Sequence, residues 1–295
     1  MMEGKAGRRA VIAIPYLWLL LFFMVPFAIV LKISFAETQL GIPPFTPLIG
    51  PDENGKTSLL VSVANYLLIG DDFLYLRAYL NSLKFAAGAT VCCLLIGYPI
   101  AYGIARAPKA WRGFLLMLVI LPFWTSYLIR VYAWIGLLKG NGIINNLLIW
   151  SGVISDPLPL LNNSFAVYLG LTYSYLPYMV LPLYAQLEKL DSTLLEAAAD
   201  LGCPPTRAFW NVTLPLSLPG IAAGCLLVFI PMVGEFVIPD LLGGPDTLMI
   251  GKVLWDEFFT NRDWPVASAL AVTMLVLVVL PMALLRKHLG GGEAR

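Results

Sequence analysis

Charge is what this chain has least of. Asp, Glu, Lys and Arg make up 13% of its 295 residues, while 59% are hydrophobic. Soluble domains carry about 25% charged residues, so a freely soluble globular protein is excluded. The mean hydropathy of +0.80 points to the membrane. The single histidine, His288, stands in a basic tail with no neighbour at metal-ligand spacing. Cys92 and Cys93 are adjacent, and Cys203 and Cys225 lie far from them and from each other. That spacing fits no zinc site, and disulfides are not expected at cytoplasmic or membrane depth. Internal repeats and low-complexity tracts are not evident. No catalytic residue, metal, cofactor or nucleic-acid partner is expected.

One motif is present in letter only. Gly50 to Thr57, GPDENGKT, satisfies the pattern of a phosphate-binding loop. Such a loop needs a strand before it and a helix after it, so that backbone N–H groups converge on phosphate. Here Pro43, Pro44 and Pro47 precede the match, and Asp52 and Glu53 would repel a triphosphate. ATP binding by this segment is not expected.

What the chain does have is apolar length. A spanning helix needs roughly 20 mostly apolar residues. The charge-free stretches supply six, near 11–33, 83–105, 114–138, 165–187, 216–238 and 266–285. The expected class is therefore an all-α integral membrane protein, a single domain over 1–295 with six transmembrane helices. Prolines fall inside the spans, which membrane helices tolerate when neighbours re-satisfy the freed carbonyls. Lys5, Arg8 and Arg9 precede the first run as in a signal peptide, but its length and the lack of a small-residue cleavage site favour a retained helix.

Orientation follows from the bases. Lys5, Arg8, Arg9, Arg106, Lys109, Arg112, Lys189, Arg207, Arg286, Lys287 and Arg295 fall on one side of the six spans. The positive-inside rule makes that side cytoplasmic, with both termini there. The opposite connections carry Glu37, Asp52, Glu53, Asp71, Asp72, Asp156, Asp240, Asp246, Asp256, Glu257 and Asp263. A negative outer face concentrates cations and opposes oxyanions, although positive-inside bias alone also leaves that side acid-rich.

The connection over 188–215 is more structured than a membrane protein needs. Asp191 or Ser192 can cap a short helix, and Gly202 offers a left-handed terminator followed by Pro204 and Pro205. Thr206 can cap a second helix that stops before Pro215. Leu194, Ala197, Ala198 and Leu201 share one apolar face at i, i+3, i+4, i+7. Glu196, Ala197, Ala198, Gly202, Leu214 and Pro215, with Val212 at the usual Ile position, resemble the EAA loop of permease subunits of binding-protein-dependent ABC importers. The resemblance implies a type I importer permease fold and a coupling helix seated in a cleft of an ATPase subunit. Glu196 would orient the loop, Gly202 permit the turn, and Ala197, Ala198 and Leu201 fill the cleft, with Leu214 and Pro215 closing the motif.

FWTSYLIRVYAW (Phe123–Trp134), GEFVIPDLLGGPDTLMIG (Gly234–Gly251) and NRDWPVASA (Asn261–Ala269) resemble putrescine/spermidine permease subunits of that family, over nearly the whole chain. This implies an inner-membrane permease working by alternating access. Its implied partners are two copies of a cytoplasmic ATPase subunit, a second homologous permease, membrane lipid and a periplasmic polyamine-binding protein. A polyamine pathway needs spaced carboxylates and aromatic faces. Glu235 and Asp240 supply the first, and Trp124, Tyr127 and Tyr175 the second, with Arg130 beside them. Tyr168, Thr172 and Tyr175 share a helix face. Glu235 and Arg130 equally suit a structural ion pair, and the Trp and Tyr residues suit interfacial anchors. Gly220 and Gly224 suit close helix packing. The alternatives are an importer permease for ferric iron, thiamine or a sugar, and a membrane enzyme or ion-coupled carrier that works alone.

Overall fold

The computed structural model describes residues 5–47, 49–51 and 57–289. In chain order the helices are α1 (Lys5–Leu19), α2 (Val25–Ser34), α3 (Ala64–Asp71), α4 (Phe73–Arg106), α5 (Lys109–Ile120), α6 (Tyr127–Leu138) and α7 (Ile143–Trp150). They continue as α8 (Ser164–Leu187), α9 (Thr193–Asp200), α10 (Pro205–Ala208), α11 (Leu214–Val233), α12 (Val237–Leu242), α13 (Ile250–Trp255) and α14 (Trp264–Leu289). Two short strands, β1 (Ile49–Pro51) and β2 (Thr57–Leu59), pair antiparallel with Gly50 opposite Ser58. The phosphate-loop match therefore leads into a strand rather than a helix; its residues 52–56 lie outside the described residues.

Among the described residues, three helical stretches are long and apolar enough to cross a membrane: Val11–Ser34, Phe73–Arg106 and Pro205–Val233. A fourth crossing arises if Lys109–Trp124 and Tyr127–Trp150, bent by 87°, count as one. That bend corrects the continuous span expected over 114–138. Leu121–Trp124 tightens to a 3-10 turn, Thr125 is extended, and α6 restarts after Ser126. Pro122 removes one helical donor and disfavours helix for Leu121.

The fifth apolar helix is also longer than expected. It runs from Pro205, so Thr206 lies inside α10 rather than capping it, and Pro215 does not stop it. A π-helical turn, Phe209–Thr213, precedes α11 and leaves Pro215 in its first turn. Proline is tolerated there because the first-turn N–H groups lack helical acceptors anyway. The same helix ends at Val233, so Glu235 falls in a break between α11 and α12 rather than within a span.

Two compact units divide the chain: residues 1–77 with 253–295, and residues 78–252. In the first, α14 packs on α2 and α3. Asn65 donates to Ser34 O and Ala36 O at 3.0 and 2.8 Å, tying down the end of α2. Glu257 accepts from the Tyr75 hydroxyl at 3.0 Å, and Asp263 from the Thr38 hydroxyl at 2.7 Å. These carboxylates thus brace their own unit.

In the second unit α8 packs along α11. Gly220 and Gly224 let the helices approach: an added Cβ would stand 2.6 Å from Gln186 Cβ and 2.8 Å from Met179 Sδ, respectively. The spacing thus serves packing, as in other small-residue membrane interfaces. Helix α8 begins where Asn163 Oδ1 accepts the Ala166 N–H at 3.0 Å, a side-chain N-cap. Helix α12 lodges between α6 and α8, burying Ile238 and Leu242 against Gly170.

Candidate functional site

Glu235 is the buried carboxylate of the second unit, 9% exposed. The break after α11 places it, and α12 satisfies part of it: Oε1 accepts the Val237 N–H at 3.0 Å. Oε2 accepts the Tyr175 hydroxyl of α8 at 2.6 Å. An ionised oxygen makes such bonds short and strong. The Tyr127 hydroxyl of α6 is buried close to the same carboxylate yet completes no hydrogen bond.

Arg130, one turn along α6, does not pair with Glu235. Its Nη1 donates across the bend to Pro122 O at 2.9 Å, an oxygen that also accepts the Thr125 hydroxyl at 2.8 Å. The guanidinium lies 4.9 Å from the Phe123 ring centre and 5.7 Å from that of Tyr127. Its Nε is buried without a partner. Of the two roles open to Arg130 in the sequence, the structural ion pair with Glu235 is thus not the one observed.

Two other sequence candidates stand apart. Trp124 is 73% exposed. Asp240 pairs with Lys252 at 3.0 Å on the partly exposed rim of α12. Tyr168, on the face of α8 shared with Tyr175, packs instead against Phe85 at 5.0 Å. Sequence reasoning missed Tyr178 and Phe123 as members of the aromatic set. Tyr178 lies 6.0 Å from Tyr175 and 5.1 Å, edge-on, from Phe123. The Tyr175–Tyr178 spacing of three, one helical turn, was the available signal.

The segment after α8 forms a projecting helix. The Asp191 carboxylate accepts the Thr193 N–H at 3.0 Å, while Ser192 supplies no cap. That bond holds the Asp191 carboxyl below the usual carboxylate range. No residue of α9 is buried. Glu196 and Ala197 are exposed and Ala198 half-buried, and Leu201 just beyond is 88% exposed. Gly202 takes φ +75°, and Cys203 N–H bonds back to Ala198 O at 2.9 Å, closing the helix end. Pro204 then turns the chain into α10. Leu214 is half-buried and Pro215 exposed at the start of α11. The apolar face of α9 and the following Leu201 are thus largely uncovered among the described residues.

The family model for binding-protein-dependent transport system inner membrane components matches residues 93–290. The chain belongs to that family. This permease is 41% identical over 273 residues to the spermidine/putrescine transport system permease protein PotB of Haemophilus influenzae, covering 92% of its own length and 91% of the relative. It is 40% identical over 263 residues to the Escherichia coli protein of the same description, covering 89% and 90%. A molybdenum transport system permease protein of Mycobacterium bovis is 31% identical over 212 residues, 70% of this chain and 76% of the relative. A bacterial ABC transporter that imports the acidic polysaccharide alginate shares the fold, with a TM-score of 0.66 at 17% identity over 97% of this chain and 95% of that one. The permease is a multi-pass inner-membrane component, and both Glu235 and α9 lie inside the matched residues.

Proposed function

We propose that this permease forms one half of the translocation pathway of an ATP-driven importer of polyamines, putrescine or spermidine. The observation that carries the reading is the identity of about 40% with spermidine/putrescine permeases over nine-tenths of both chains. The site chemistry agrees with it. Glu235 offers a buried negative charge, and Tyr175, Tyr178 and Phe123 offer apolar faces for methylenes. A buried carboxylate repels an oxyanion such as molybdate, so the kinship to the molybdenum permease reflects shared architecture.

In this reading six spans cross the inner membrane with both termini in the cytoplasm, α8 and α14 completing the set. Residues 188–215 then face the ATPase. Helix α9 seats Ala197, Ala198 and Leu201 in the ATPase cleft, and Glu196 orients it against a basic or hydrogen-bonding partner. ATP binding draws this loop toward its counterpart on a second permease subunit, and the spans open outward to a polyamine-loaded periplasmic protein. The cytoplasmic ATPase, present in two copies, hydrolyses ATP; the permease does not.

The test is ATP hydrolysis by the complete complex in nanodiscs. Stimulation by the binding protein loaded with putrescine or spermidine, and not by the empty protein, supports the reading. Equal stimulation with a sugar- or thiamine-loaded binding protein would contradict the cargo.

A further inference from the structure

Where α4 ends and α5 begins, a cavity of about 290 Å³ opens between the spans and the start of the α8–α9 connection. Three cations line it: Arg106, Lys109 and Arg112. Arg112 is already engaged, donating through Nε to Ala107 O at 2.9 Å and pairing with Glu188, the cavity's one carboxylate, at 3.3 Å. Arg106 and Lys109 form no ion pair among the described residues. The Arg106 guanidinium lies over the Tyr102 ring, 4.8 Å from its centre. Thr213, 1% exposed, lines the same cavity, and its hydroxyl has no hydrogen-bond partner. Pro108, at the N-cap of α5, offers no side-chain acceptor beside the Lys109 amide, its carbonyl taking the Trp111 N–H at 2.8 Å.

We propose that this cavity binds the phosphate of an anionic phospholipid headgroup. Basic residues gather on the cytoplasmic side of any membrane protein, but topology alone requires neither a concave site nor an orphaned buried hydroxyl. Guanidinium, ammonium, hydroxyl and helix-start N–H groups together form a donor set for phosphate oxygens. A lipid, rather than a soluble anion, fits the place. On the orientation proposed above, the cavity lies at the cytoplasmic membrane boundary. On α5, Trp111 and Phe114, 6.0 Å apart, are 58% and 48% exposed and provide acyl-chain contact. Leu190, Ser192 and Leu195 complete the lining, so a bound headgroup bridges the spans to the base of α9. It would steady the coupling loop against the membrane.

The site is tested on the purified complete complex by native mass spectrometry of phosphatidylglycerol and phosphatidylcholine adducts, with inorganic phosphate as competitor. The permease should retain phosphatidylglycerol selectively. Removing both free cations in R106Q/K109Q should weaken that retention by at least about tenfold. R106K keeps the charge and T213V keeps the shape, and each should lose several-fold through lost hydrogen bonds. K139Q, away from the cavity, should change nothing. If inorganic phosphate shifts the thermal midpoint of the wild type but not of R106Q/K109Q, and lipid selectivity is absent, the site holds a soluble anion instead. Equal phosphatidylglycerol retention by the wild type and R106Q/K109Q, with both still assembled with the ATPase, would overturn the proposal. The readout involves no polyamine, so it fails or succeeds independently of the cargo.

Discussion

Glu235 and the side chains around it make separable predictions. Glu235→Gln preserves the shape and one acceptor oxygen but removes the charge. It should lower polyamine uptake by about tenfold or more, ~1.4 kcal/mol per decade, while the complex still assembles on size exclusion. Tyr175→Phe strips a hydrogen bond to a charged group, worth about 1.5–3 kcal/mol, and should lower the thermal midpoint as well as uptake. Arg130→Lys retains the charge but not the planar stack on Phe123 and Tyr127. Because Arg130 holds Pro122 O across the bend, its loss should act on the stability of α6 rather than on cargo selectivity. A changed ratio of putrescine to spermidine uptake in Arg130→Lys would place the guanidinium in the pathway instead. Glu235 was legible because an acid among apolar residues is conspicuous. Its hydrogen-bond partner Tyr175 and its neighbour Tyr127 were legible only as residue types, since they stand 60 and 108 positions away in the sequence.

Element ends follow local signals. Helix α8 runs Ser164–Leu187 beside the charge-free stretch 165–187, and the Asn163 cap sets its start. A proline inside a membrane helix often kinks it, and Pro122 does so, but hydropathy continues unbroken through Leu121–Trp124 and does not show that the backbone turns by 87°. Pro215 misled in the other direction. A π-helical turn before it allows the helix to pass, and no composition signal announces that turn. Gly202 permits a clean test of α9, because a Cβ there meets nothing within 4 Å. Asn accepts the left-handed conformation, so Gly202→Asn should keep both fold and uptake. Gly202→Asp adds a charge at the end of α9 and, on the docking proposed above, should uncouple ATP hydrolysis from uptake; equal activity of the two variants would remove that proposal. Gly224→Leu should fail differently. It forces α11 off Met179 of α8, costing about 1–3 kcal/mol, visible as a lowered thermal midpoint before any transport defect.

Orientation has a natural reporter. Cys203 is a half-buried free thiol beside α9, whereas Cys93 is buried and Cys92 and Cys225 sit on the apolar helices α4 and α11. A membrane-impermeant maleimide should label Cys203 in inverted vesicles stripped of ATPase, fail in right-side-out vesicles, and be blocked when ATPase is restored. Labelling from the outside would invert the topology and move the cavity at Arg106 to the periplasm. The assembled machine is tested most directly by uptake of labelled putrescine into proteoliposomes holding the complete complex, with spermidine, thiamine and molybdate as competitors. Uptake should require ATP and the binding protein and be blocked by spermidine alone. A complex that hydrolyses ATP yet imports no putrescine, or whose uptake thiamine or molybdate blocks equally well, would contradict the polyamine reading.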